Sequence, residues 1–453
     1  MSFISQLSIK TKIGLGILLS YTSFEVYMQI RTQQIISERR EEFKKFTNSK
    51  DSDVSKFKSV SVAGMFVNPF EEYRPQTAFE FLFVRIMELL ESFYGNKIEL
   101  HDKLPQPKDG AVEVEDLLKL FKPDKETMRK NSIILQTCIK NDDFSALSSP
   151  AAKSWLERTE SNNSSSIDQQ MLFTWLGQSC ALVQISGINF LTDPTISDHL
   201  ISPNLGPKRL TKSPMNLDDI MYSTNDKINF MLVSHDHPDH LEMDLVKKVG
   251  NKTTWIVPLG LKRKLAAKGI YNILELDWWE SADITSLIST SENFKDKYEV
   301  VCVPAMHWSG RYILDSNQSL WCSFIIRRNN ESILYHAGDT GYSNELFKVI
   351  GKKFGPVFMG MLPIGQYCPS WHQKPRHISP EESLQICKDL QISKMKGIHW
   401  GTFKLSGEPI LEPKNLLIEL AKQAGKSLYY GVPEFGLTYL YNVRDRSEIE
   451  LHI

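Results

Sequence analysis

The sequence predicts an α/β protein, and three observations support this fold class. After residue 170 the chain changes to short apolar runs separated by turns, which is typical of buried β-strands. Helical patterns follow several of these runs, as they do in proteins that alternate strand and helix. The 453 residues, 41% of them hydrophobic and 24% charged, suffice for one large domain or two to three ordinary ones. A chain of this size needs neither disulfides nor metals merely to fold.

The beginning of the chain has the composition of a targeting or anchoring segment. Its first 24 residues contain no acidic side chain, carry Lys10 and Lys12, and include an apolar run from Ile13 to Phe24. Glu25 interrupts this run before it reaches the roughly 20 apolar residues that a spanning helix needs. A basic, Ser-rich, acid-free start is typical of a mitochondrial presequence, so we predict mitochondrial localisation with membrane association. Another kind of membrane anchor, or an ordinary helix, is the alternative.

Two further segments precede the strand-rich part of the chain. We assign residues 1–60 to the targeting or anchor segment and a charged, flexible linker. Residues 61–165 form an N-terminal extension in which aromatic-rich segments alternate with helical patterns. Residues 160–168, rich in Ser and Asn, are predicted to be a linker.

The remaining elements are predicted from hydrophobic patterns in chain order. Strands are expected at Leu172–Leu176, Cys180–Ile185, Ile188–Thr192, Ile228–Val233, Thr254–Val257, Val300–Pro304, Ser323–Ile326, Ile333–Tyr335, Val357–Met361 and Lys396–His399. Helices are expected at Leu241–Val249, Asn344–Ile350 and Pro380–Leu390. Ser379 fits an N-cap and Pro380 the first position of the last of these helices.

Charge and cysteine content exclude several classes of protein. Lys and Arg number 53 against 54 Asp and Glu, so the net charge of −1 argues against a nucleic-acid partner. The six cysteines are dispersed and form no Cys-x-x-Cys pair. We therefore interpret them as buried thiols of a protein in a reducing compartment.

A dense polar cluster, His235-Asp-His237-Pro-Asp239-His240, follows the strand predicted at Ile228–Val233. In an extended backbone, side chains two residues apart lie on one side, so His235 and His237 can reach one cation. The turn into the next helix directs Asp239 and His240 toward a second cation. Imidazole nitrogen and carboxylate oxygen are ligands that zinc accepts. A loop of solvated histidines is the alternative, but such polar density at a strand end has no packing reason.

Three further candidate ligands follow other predicted strands. His307 and His399 each come at the end of an apolar run, and Asp339 lies between glycines that allow a tight turn. Each of them alone is as consistent with an ordinary buried or turn residue. Together with the histidine cluster they complete two metal sites.

The pattern His-x-His-x-Asp-His, with a later His, Asp and His at strand ends, resembles the metallo-β-lactamase superfamily. Longer motifs resemble, more specifically, the fungal mitochondrial branch of the N-acylphosphatidylethanolamine-hydrolysing phospholipases D, over roughly residues 170 to 435. These motifs are Thr174-Trp-Leu-Gly, Leu191-Thr-Asp-Pro, Gly206-Pro-Lys-Arg, Val257-Pro-Leu-Gly, Glu275-Leu-Asp-Trp-Trp-Glu, Pro304-Ala-Met-His-Trp, Ala337-Gly-Asp-Thr-Gly-Tyr, Pro363-Ile-Gly and Ile398-His-Trp-Gly-Thr-Phe, with Phe66-Val-Asn-Pro-Phe earlier. The resemblance implies a four-layer αββα sandwich over residues 166–453, preceded by an N-terminal helical extension.

The resemblance also implies a ligand set and a reaction. It assigns His235, His237 and His307 to one zinc ion, Asp239, His240 and His399 to a second, and Asp339 to a bridge between them. Asp239 and His377 are the implied catalytic residues, with His377 on the substrate side or, alternatively, an ordinary surface residue. Asp193 is expected to orient a ligand imidazole. His336, His372, His101, His199 and His452 match no ligand position and are interpreted as structural.

Two departures from the family concern the substrate rather than the metals. Gln178 stands where many relatives have His, and Pro238 stands where an aromatic residue helps to hold the acyl chain, so acyl preference stays open.

The segment Leu259–Lys268 fits an interfacial helix on lipid and, equally, a solvated helix face. Trp278, Trp279, Trp308, Trp371 and Trp400 either line an acyl groove or fill the core.

The expected activity is zinc-dependent hydrolysis of a lipid phosphodiester, in which water displaces the head-group alcohol and leaves phosphatidic acid. The expected partners are a phospholipid substrate and a membrane surface, without nucleic acid. Oligomeric state is left open, with a homodimer as one alternative. Another metallo-β-lactamase-fold hydrolase, acting on a thioester, a lactone or nucleic acid, is the competing enzyme hypothesis. A non-catalytic, membrane-associated zinc protein is the competing hypothesis outside enzymes.

Overall fold

The fold of the computed structural model is built from two seven-stranded sheets and a small N-terminal hairpin. The structure describes residues 8–45, 54, 56–74, 80, 83, 84, 86, 87, 118–148, 166–201, 206–312 and 315–443. In chain order the strands are β1 Val60–Val62, β2 Met65–Val67, β3 Gln170–Gly177, β4 Cys180–Ile185, β5 Ile188–Thr192, β6 Phe230–Leu232, β7 Thr254–Pro258, β8 Ile273–Leu276, β9 Ser281–Asp283, β10 Tyr298–Val303, β11 Ser323–Arg328, β12 Glu331–His336, β13 Val357–Pro363, β14 Lys394–Ile398, β15 Tyr430–Gly431 and β16 Thr438–Asn442.

Helices surround these sheets. Within the described residues they are α1 Ile9–Lys45, α2 Lys125–Asn141, α3 Ser145–Ser148, α4 Leu217–Ser223, α5 Met243–Val249, α6 Leu261–Ala266, α7 Thr285–Ile288, α8 Asn344–Phe354, α9 Ser370–Gln373, α10 Pro380–Asp389 and α11 Glu412–Gln423. The N-terminus of α10 has the expected cap, because the side chain of Ser379 accepts a hydrogen bond from Glu382 N and Pro380 follows it.

Each sheet is mixed. The first has the order β16-β3-β4-β5-β6-β7-β8, antiparallel from β16 to β5 and parallel from β5 to β8. The second has the order β15-β14-β13-β12-β11-β10-β9, parallel from β15 to β12 and antiparallel from β12 to β9. The parallel parts require helical crossovers, which explains why helices follow β6, β7, β12 and β13.

Alternate side chains of the first sheet belong to different cores. In β3, Phe173 and Trp175 join the buried cluster that also contains the inner residues of the second sheet. Leu172 and Leu176 belong to a separate cluster with helices α4, α5 and α6. On the outside of the second sheet, α8, α10 and α11 contribute buried side chains to the first cluster. The protein is therefore a four-layer αββα sandwich, as expected.

The N-terminal extension packs directly on this sandwich. Phe70 lies 5.7 Å from the Phe57 ring and 5.8 Å from the Trp278 ring, measured between centroids. Near its C-terminal end, helix α1 contacts the segment just before the extension, where Arg39 donates to the carbonyl oxygens of Lys58 and Ser59. Among the described residues, no helix combines the length and the apolar character needed to cross a membrane.

The predicted strands all exist, with ends shifted by a few residues. Patterns did not identify β1, β2, β8, β9, β15 and β16, which are two to five residues long and depend on pairing with neighbours. The domain boundaries at residues 60 and 165 stay predictions. Residues 160–165 of the proposed linker, and also His101 and His452, lie outside the described residues.

Candidate metal centre

The candidate ligands meet because their strands end at one edge of the sandwich. His235 follows β6, His307 follows β10, Asp339 follows β12, and His399 directly follows β14. β12 and β14 run parallel through β13, and β10 has the same direction because two antiparallel steps separate it from β12. The carboxyl ends of these strands therefore deliver their side chains to a common site.

Three imidazoles form the first group. Nε2 of His235 lies 2.7 Å from Nδ1 of His237, and Nε2 of His307 lies 3.3 Å from the same Nδ1. All three side chains are buried, and one ligand atom from each lies within 4.8 Å of the other two. This spacing matches three nitrogen atoms around one cation.

A second group joins two carboxylates with two imidazoles, Asp239, His240, Asp339 and His399. Nε2 of His240 lies 3.3 Å from Nε2 of His399. Oδ2 of Asp239 is 3.5 Å from each of these two nitrogen atoms. The four side chains are buried, so their donor atoms face one another rather than solvent.

Asp339 lies between the two groups. Its Oδ2 is 3.2 Å from Nε2 of His240 and 3.7 Å from Nε2 of His307. Its Oδ1 is 3.0 Å from Nε2 of His399. One carboxylate thus reaches members of both groups, which is the geometry that a bridging ligand requires.

The first group is electrically neutral at neutral pH. Burial, with smaller contributions from neighbouring imidazoles, lowers the pKa of His235 well below its usual value. Burial likewise lowers the pKa of His237 and of His307 to about 3. Neutral imidazoles keep the lone pair that a metal needs, so these three residues are prepared to bind a cation.

The second group behaves differently because it contains the carboxylates. Burial alone would lower the pKa of its imidazoles, but the Asp339 and Asp239 carboxylates raise the pKa of His240 well above its usual range and that of His399 to about 9. The same imidazoles hold the pKa of both carboxyl groups well below the usual range, against the effect of burial. Protons on His240 and His399 thus balance the two buried carboxylates, and a divalent cation that displaces these two protons would supply the same positive charge.

Outer contacts fix the orientation of the ligand rings. Nδ1 of His240 donates to Oδ2 of Asp193 at 2.8 Å, and Nδ1 of His307 donates to the Arg376 carbonyl oxygen at 2.8 Å. Nδ1 of His235 lies 3.0 Å from the Ser234 hydroxyl. In each case the outward nitrogen is engaged, and Nε2 is left to face the centre.

Asp193 is the focus of these outer contacts, as the sequence indicated. It accepts hydrogen bonds from Ser234 N at 2.7 Å, from the Ser234 hydroxyl at 2.8 Å and from Nε2 of His336 at 2.8 Å. Burial by itself would raise the pKa of Asp193, but His336 and His240 lower it to about 2. His336, interpreted from the sequence as structural, therefore supports a candidate ligand through Asp193.

His377 lies inside the site. Its Nδ1 is 3.7 Å from Oδ2 of Asp339, its ring centroid is 5.0 Å from that of His307, and only 4% of the residue is exposed. The surface alternative is therefore wrong. Burial lowers the pKa of His377 well below its usual value, so its imidazole is neutral.

Contacts distant in sequence complete the site, and patterns did not reveal them. Nδ2 of Asn68, in the N-terminal extension, donates to the His307 carbonyl oxygen at 2.7 Å. Nε2 of Gln178 lies 2.8 Å from Oδ2 of Asp239 and 2.8 Å from Nε2 of His399. In the sequence, the only signals at these two positions were that Asn68 lies in the Phe66-Val-Asn-Pro-Phe motif and that Gln178 replaces the His of many relatives.

Most features that suggested lipid contact belong to the core. Leu261 and Leu265 of α6 are each 1% exposed, so the interfacial interpretation of this helix is wrong for its leucines. Lys264 pairs with Asp236 of the histidine cluster and with Asp315, its Nζ lying 3.1 Å from the Asp315 carboxylate.

Of the five tryptophans, Trp278 and Trp400 are buried and Trp279 is half-buried. Trp308 is half-buried with its ring 4.2 Å from that of His237, and Trp371 is exposed. The core interpretation therefore applies to the first two, and only Trp371 presents most of its ring to solvent.

Comparisons with known proteins agree with this geometry. Residues 189–400 match the model of the beta-lactamase superfamily domain. A Saccharomyces cerevisiae protein, the mitochondrial N-acyl-phosphatidylethanolamine-hydrolyzing phospholipase D, is 38% identical over 94% of this chain and 87% of its own length. A Caenorhabditis elegans protein, N-acyl-phosphatidylethanolamine-hydrolyzing phospholipase D 1, is 37% identical over 54% of this chain and 68% of its own length.

Among solved structures, Igni18, a metallo hydrolase of Ignicoccus hospitalis, is 21% identical and has a TM-score of 0.45. The match covers 60% of this chain and 98% of that protein.

Proposed function

We infer the function from the premise that this chain belongs to the family of N-acyl-phosphatidylethanolamine-hydrolysing phospholipases D, within the beta-lactamase superfamily. It is a metal-dependent hydrolase of the phospholipase D type, and it cleaves N-acylphosphatidylethanolamine to N-acylethanolamine and phosphatidic acid. The observation that carries this conclusion is the buried cluster of imidazoles and carboxylates in a chain similar to a phospholipase D over nearly its whole length.

We propose that the cofactors are two zinc ions. The donor set supports this choice, because four-coordinate zinc accepts imidazole and carboxylate together. The first ion would be held by His235, His237 and His307. The second would be held by Asp239, His240 and His399, with Asp339 as the bridge.

The proposed reaction places water against phosphorus. Two divalent ions, when bound, supply an activated water and neutralise the phosphoryl oxygens of the substrate. The water oxygen bonds to phosphorus, the bond from phosphorus to the ethanolamide oxygen breaks, and the leaving alkoxide takes a proton. His377 is neutral, so it serves by donating an N–H hydrogen bond to that oxygen or by holding a water that protonates it. Asp239, fixed by the amide of Gln178, is the second proposed catalytic residue.

We propose a mitochondrial location with membrane association. The composition of the first 24 residues supports it, and the yeast relative is described as mitochondrial. Helix α1 also exposes apolar side chains along its first turns, with Ile9 77% and Ile17 67% accessible. Such a helix can lie in the surface of a bilayer without crossing it.

The test is product analysis with purified protein and N-acylphosphatidylethanolamine, using mass spectrometry. We expect phosphatidic acid and N-acylethanolamine in equal amounts, and loss of both products in His377→Ala and Asp239→Asn proteins. Asp244→Asn is the matched control, because this aspartate is exposed on α5 and pairs only with Lys247 among the contacts described. Turnover of a thioester, a lactone or nucleic acid with no cleavage of the lipid would favour the other hydrolases of this fold.

A further inference from the structure

The tip of the β3–β4 hairpin places the side chain of Gln178 in the metal centre. Gln178 has a φ of +50°, in the left-handed region that residues other than glycine rarely adopt. Its N–H donates to the Thr402 hydroxyl at 2.6 Å, and its carbonyl oxygen accepts from Nε1 of Trp175 at 2.8 Å and from the His399 N–H at 3.0 Å. Strained backbone that is held in this way clusters at functional sites, so the side chain of Gln178 is a candidate for a direct role.

The amide nitrogen of Gln178 points into the centre. A side-chain amide can be placed with either its oxygen or its nitrogen forward, and the neighbouring groups decide between the two. The neighbour here is Oδ2 of Asp239 at 2.8 Å. Because a carboxylate oxygen only accepts hydrogen bonds, the atom beside it is the nitrogen of the NH₂ group.

The NH₂ group carries two protons, and the contact with Asp239 uses one of them. The other faces Nε2 of His399, which lies 2.8 Å from the amide nitrogen. As a candidate ligand, His399 uses the lone pair of Nε2 for a cation, and this nitrogen then accepts no hydrogen bond. Within the part of the chain that the structure describes, the second N–H of Gln178 is then left without an acceptor, although the residue is only 1% exposed. A buried donor without an acceptor is costly, so a ligand that supplies an acceptor is expected.

There is room for such an acceptor beside the hairpin tip. A cavity of about 30 Å³ borders both Gln178 and His399, which is enough for one water molecule or one oxygen atom of a ligand. Both residues contact Asp239 of the second group of candidate ligands. An anionic oxygen at this position would have the amide on one side and the cation site on the other.

We propose that Gln178 is a further catalytic residue, whose second N–H donates a hydrogen bond to a non-bridging oxygen of the phosphate group that is cleaved. This inference rests on the proposed function, because it assumes a phosphodiester substrate. As the water oxygen bonds to phosphorus, the phosphate group carries negative charge on its non-bridging oxygens, and a fixed N–H donor stabilises that charge. The proton stays on the amide nitrogen throughout, and no covalent bond to Gln178 forms.

The test removes the donor while keeping an unbranched side chain of similar length. Gln178→Met does this, whereas Gln178→His keeps an N–H donor and tolerates the left-handed backbone. Gln184→Met is the matched control. Gln184 is also buried on this hairpin, but its amide donates to the Met128 carbonyl oxygen and to the Asn189 side chain rather than to the centre.

Turnover and anion binding are measured with the full-length protein at saturating zinc. Gln178→Met should have a kcat at least about a hundredfold below that of the unmodified protein, as is usual when one such donor is lost, at an equal zinc content by mass spectrometry. Gln178→His should recover most of this loss, and Gln184→Met should keep the kcat of the unmodified protein. By calorimetry, inorganic phosphate should bind zinc-loaded Gln178→Met about tenfold more weakly than the unmodified protein, because one hydrogen bond to a charged group is lost.

Equal kcat values and equal phosphate affinities for the unmodified and Gln178→Met proteins would overturn the inference. A lower zinc content in Gln178→Met, with kcat restored by excess zinc, would also overturn it, because Gln178 would then act only by holding Asp239. Failure of the unmodified protein to cleave N-acylphosphatidylethanolamine would instead contradict the proposed function, and phosphate binding would still decide the role of Gln178. Absence of both cleavage and phosphate binding in the unmodified protein would contradict both proposals.

Discussion

Asp339 lies within 3.7 Å of ring nitrogens from both groups of candidate ligands, so this one carboxylate interacts with members of each group. At the scale of single residues, the proposed activity depends on this side chain and on the outer contacts that orient the imidazoles. The ring of His240 is held by Asp193 and that of His307 by the Arg376 carbonyl oxygen, while Asn68 holds the His307 backbone. Three predictions follow from individual contacts.

Asp339→Asn should reduce turnover by at least about a thousandfold, because an amide oxygen carries no charge to balance two cations. Circular dichroism and thermal melting should show that the sandwich still forms. The metal content of the variant, measured by mass spectrometry, should fall below that of the unmodified protein. Turnover at the unmodified rate would show that this carboxylate has no part in catalysis.

Asp193→Asn should weaken metal binding about ten- to a hundredfold without removing a proposed ligand, because partners that orient ligand rings commonly have effects of this size. His336→Phe should act in the same direction, since His336 donates to the same carboxylate oxygen as His240. Competition with a chromophoric chelator measures the affinity. Unchanged affinity in both proteins would exclude a role for this contact in metal binding.

Gly338→Ala should be poorly tolerated. Gly338 has a φ of +57°, and a Cβ atom there would lie 2.6 Å from Cβ of Ser234. Gly269 is the control, because it also has a positive φ of +85° but has nothing within 4 Å of a new Cβ. Urea denaturation should show that Gly338→Ala costs at least about 2 kcal/mol more than Gly269→Ala, whose cost is left-handed strain of about 1 kcal/mol. Equal costs would exclude the close approach to Ser234.

The sequence predicted the candidate metal ligands better than it predicted the contacts that keep these ligands in position. His235, His237 and His240 are near one another in the chain, so their density was visible. The contact of Asn68 with His307 joins positions 239 residues apart, and that of Gln178 with His399 joins positions 221 apart. No local pattern contains such contacts, because they depend on how distant elements pack.

At the scale of elements, strand ends position the ligands and the N-terminal extension supports them. Residues outside the matched superfamily domain reach the surroundings of the centre, because Asn68 donates to the His307 carbonyl oxygen and Glu80 accepts from Nδ1 of His372, five residues before His377. The extension therefore belongs to the functional unit, although its composition indicated only aromatic and helical segments. Strands β4 and β5, whose ends were predicted most closely, are buried along their whole length. Strand β9 is a largely exposed edge strand of Ser, Ala and Asp, so it has no hydrophobic pattern from which it could be predicted.

Asn68→Ala should lower kcat about tenfold and destabilise the protein by only about 1 kcal/mol, the usual value of one hydrogen bond. The reason is that His307 loses the contact that fixes its backbone. Ser59→Ala is the control, from the segment just before the extension, because this hydroxyl bonds Asp277, which is not a candidate ligand. Steady-state kinetics should show a normal kcat for the control. A normal kcat for Asn68→Ala would restrict the extension to a structural role.

At the scale of the whole molecule, two sheets enclose one core, and the metal centre lies where strands such as β10, β12 and β14 end. The αββα order of layers was predicted through family resemblance, whereas hydrophobic patterns alone gave only an α/β class. Patterns cannot give the layer order, because β16 pairs with β3 across more than 260 residues.

Removal of metal should affect stability as well as activity. Bound cations neutralise the buried carboxylates of the second group, so dialysis against a chelator should lower the melting temperature by several degrees and abolish turnover. Zinc added back should restore both quantities. Calorimetry and the lipid assay check this outcome, and a chelated protein with unchanged melting and turnover would contradict a metal-dependent enzyme.

The most direct test of the central claim, metal-dependent cleavage at phosphorus, is turnover of N-acylphosphatidylethanolamine by the zinc-reconstituted protein in water enriched in oxygen-18. Mass spectrometry of the products should find one labelled oxygen in phosphatidic acid and none in N-acylethanolamine, and neither product should form without metal. Label in N-acylethanolamine, or unlabelled phosphatidic acid, would contradict attack of water on phosphorus and with it the function assigned to this site.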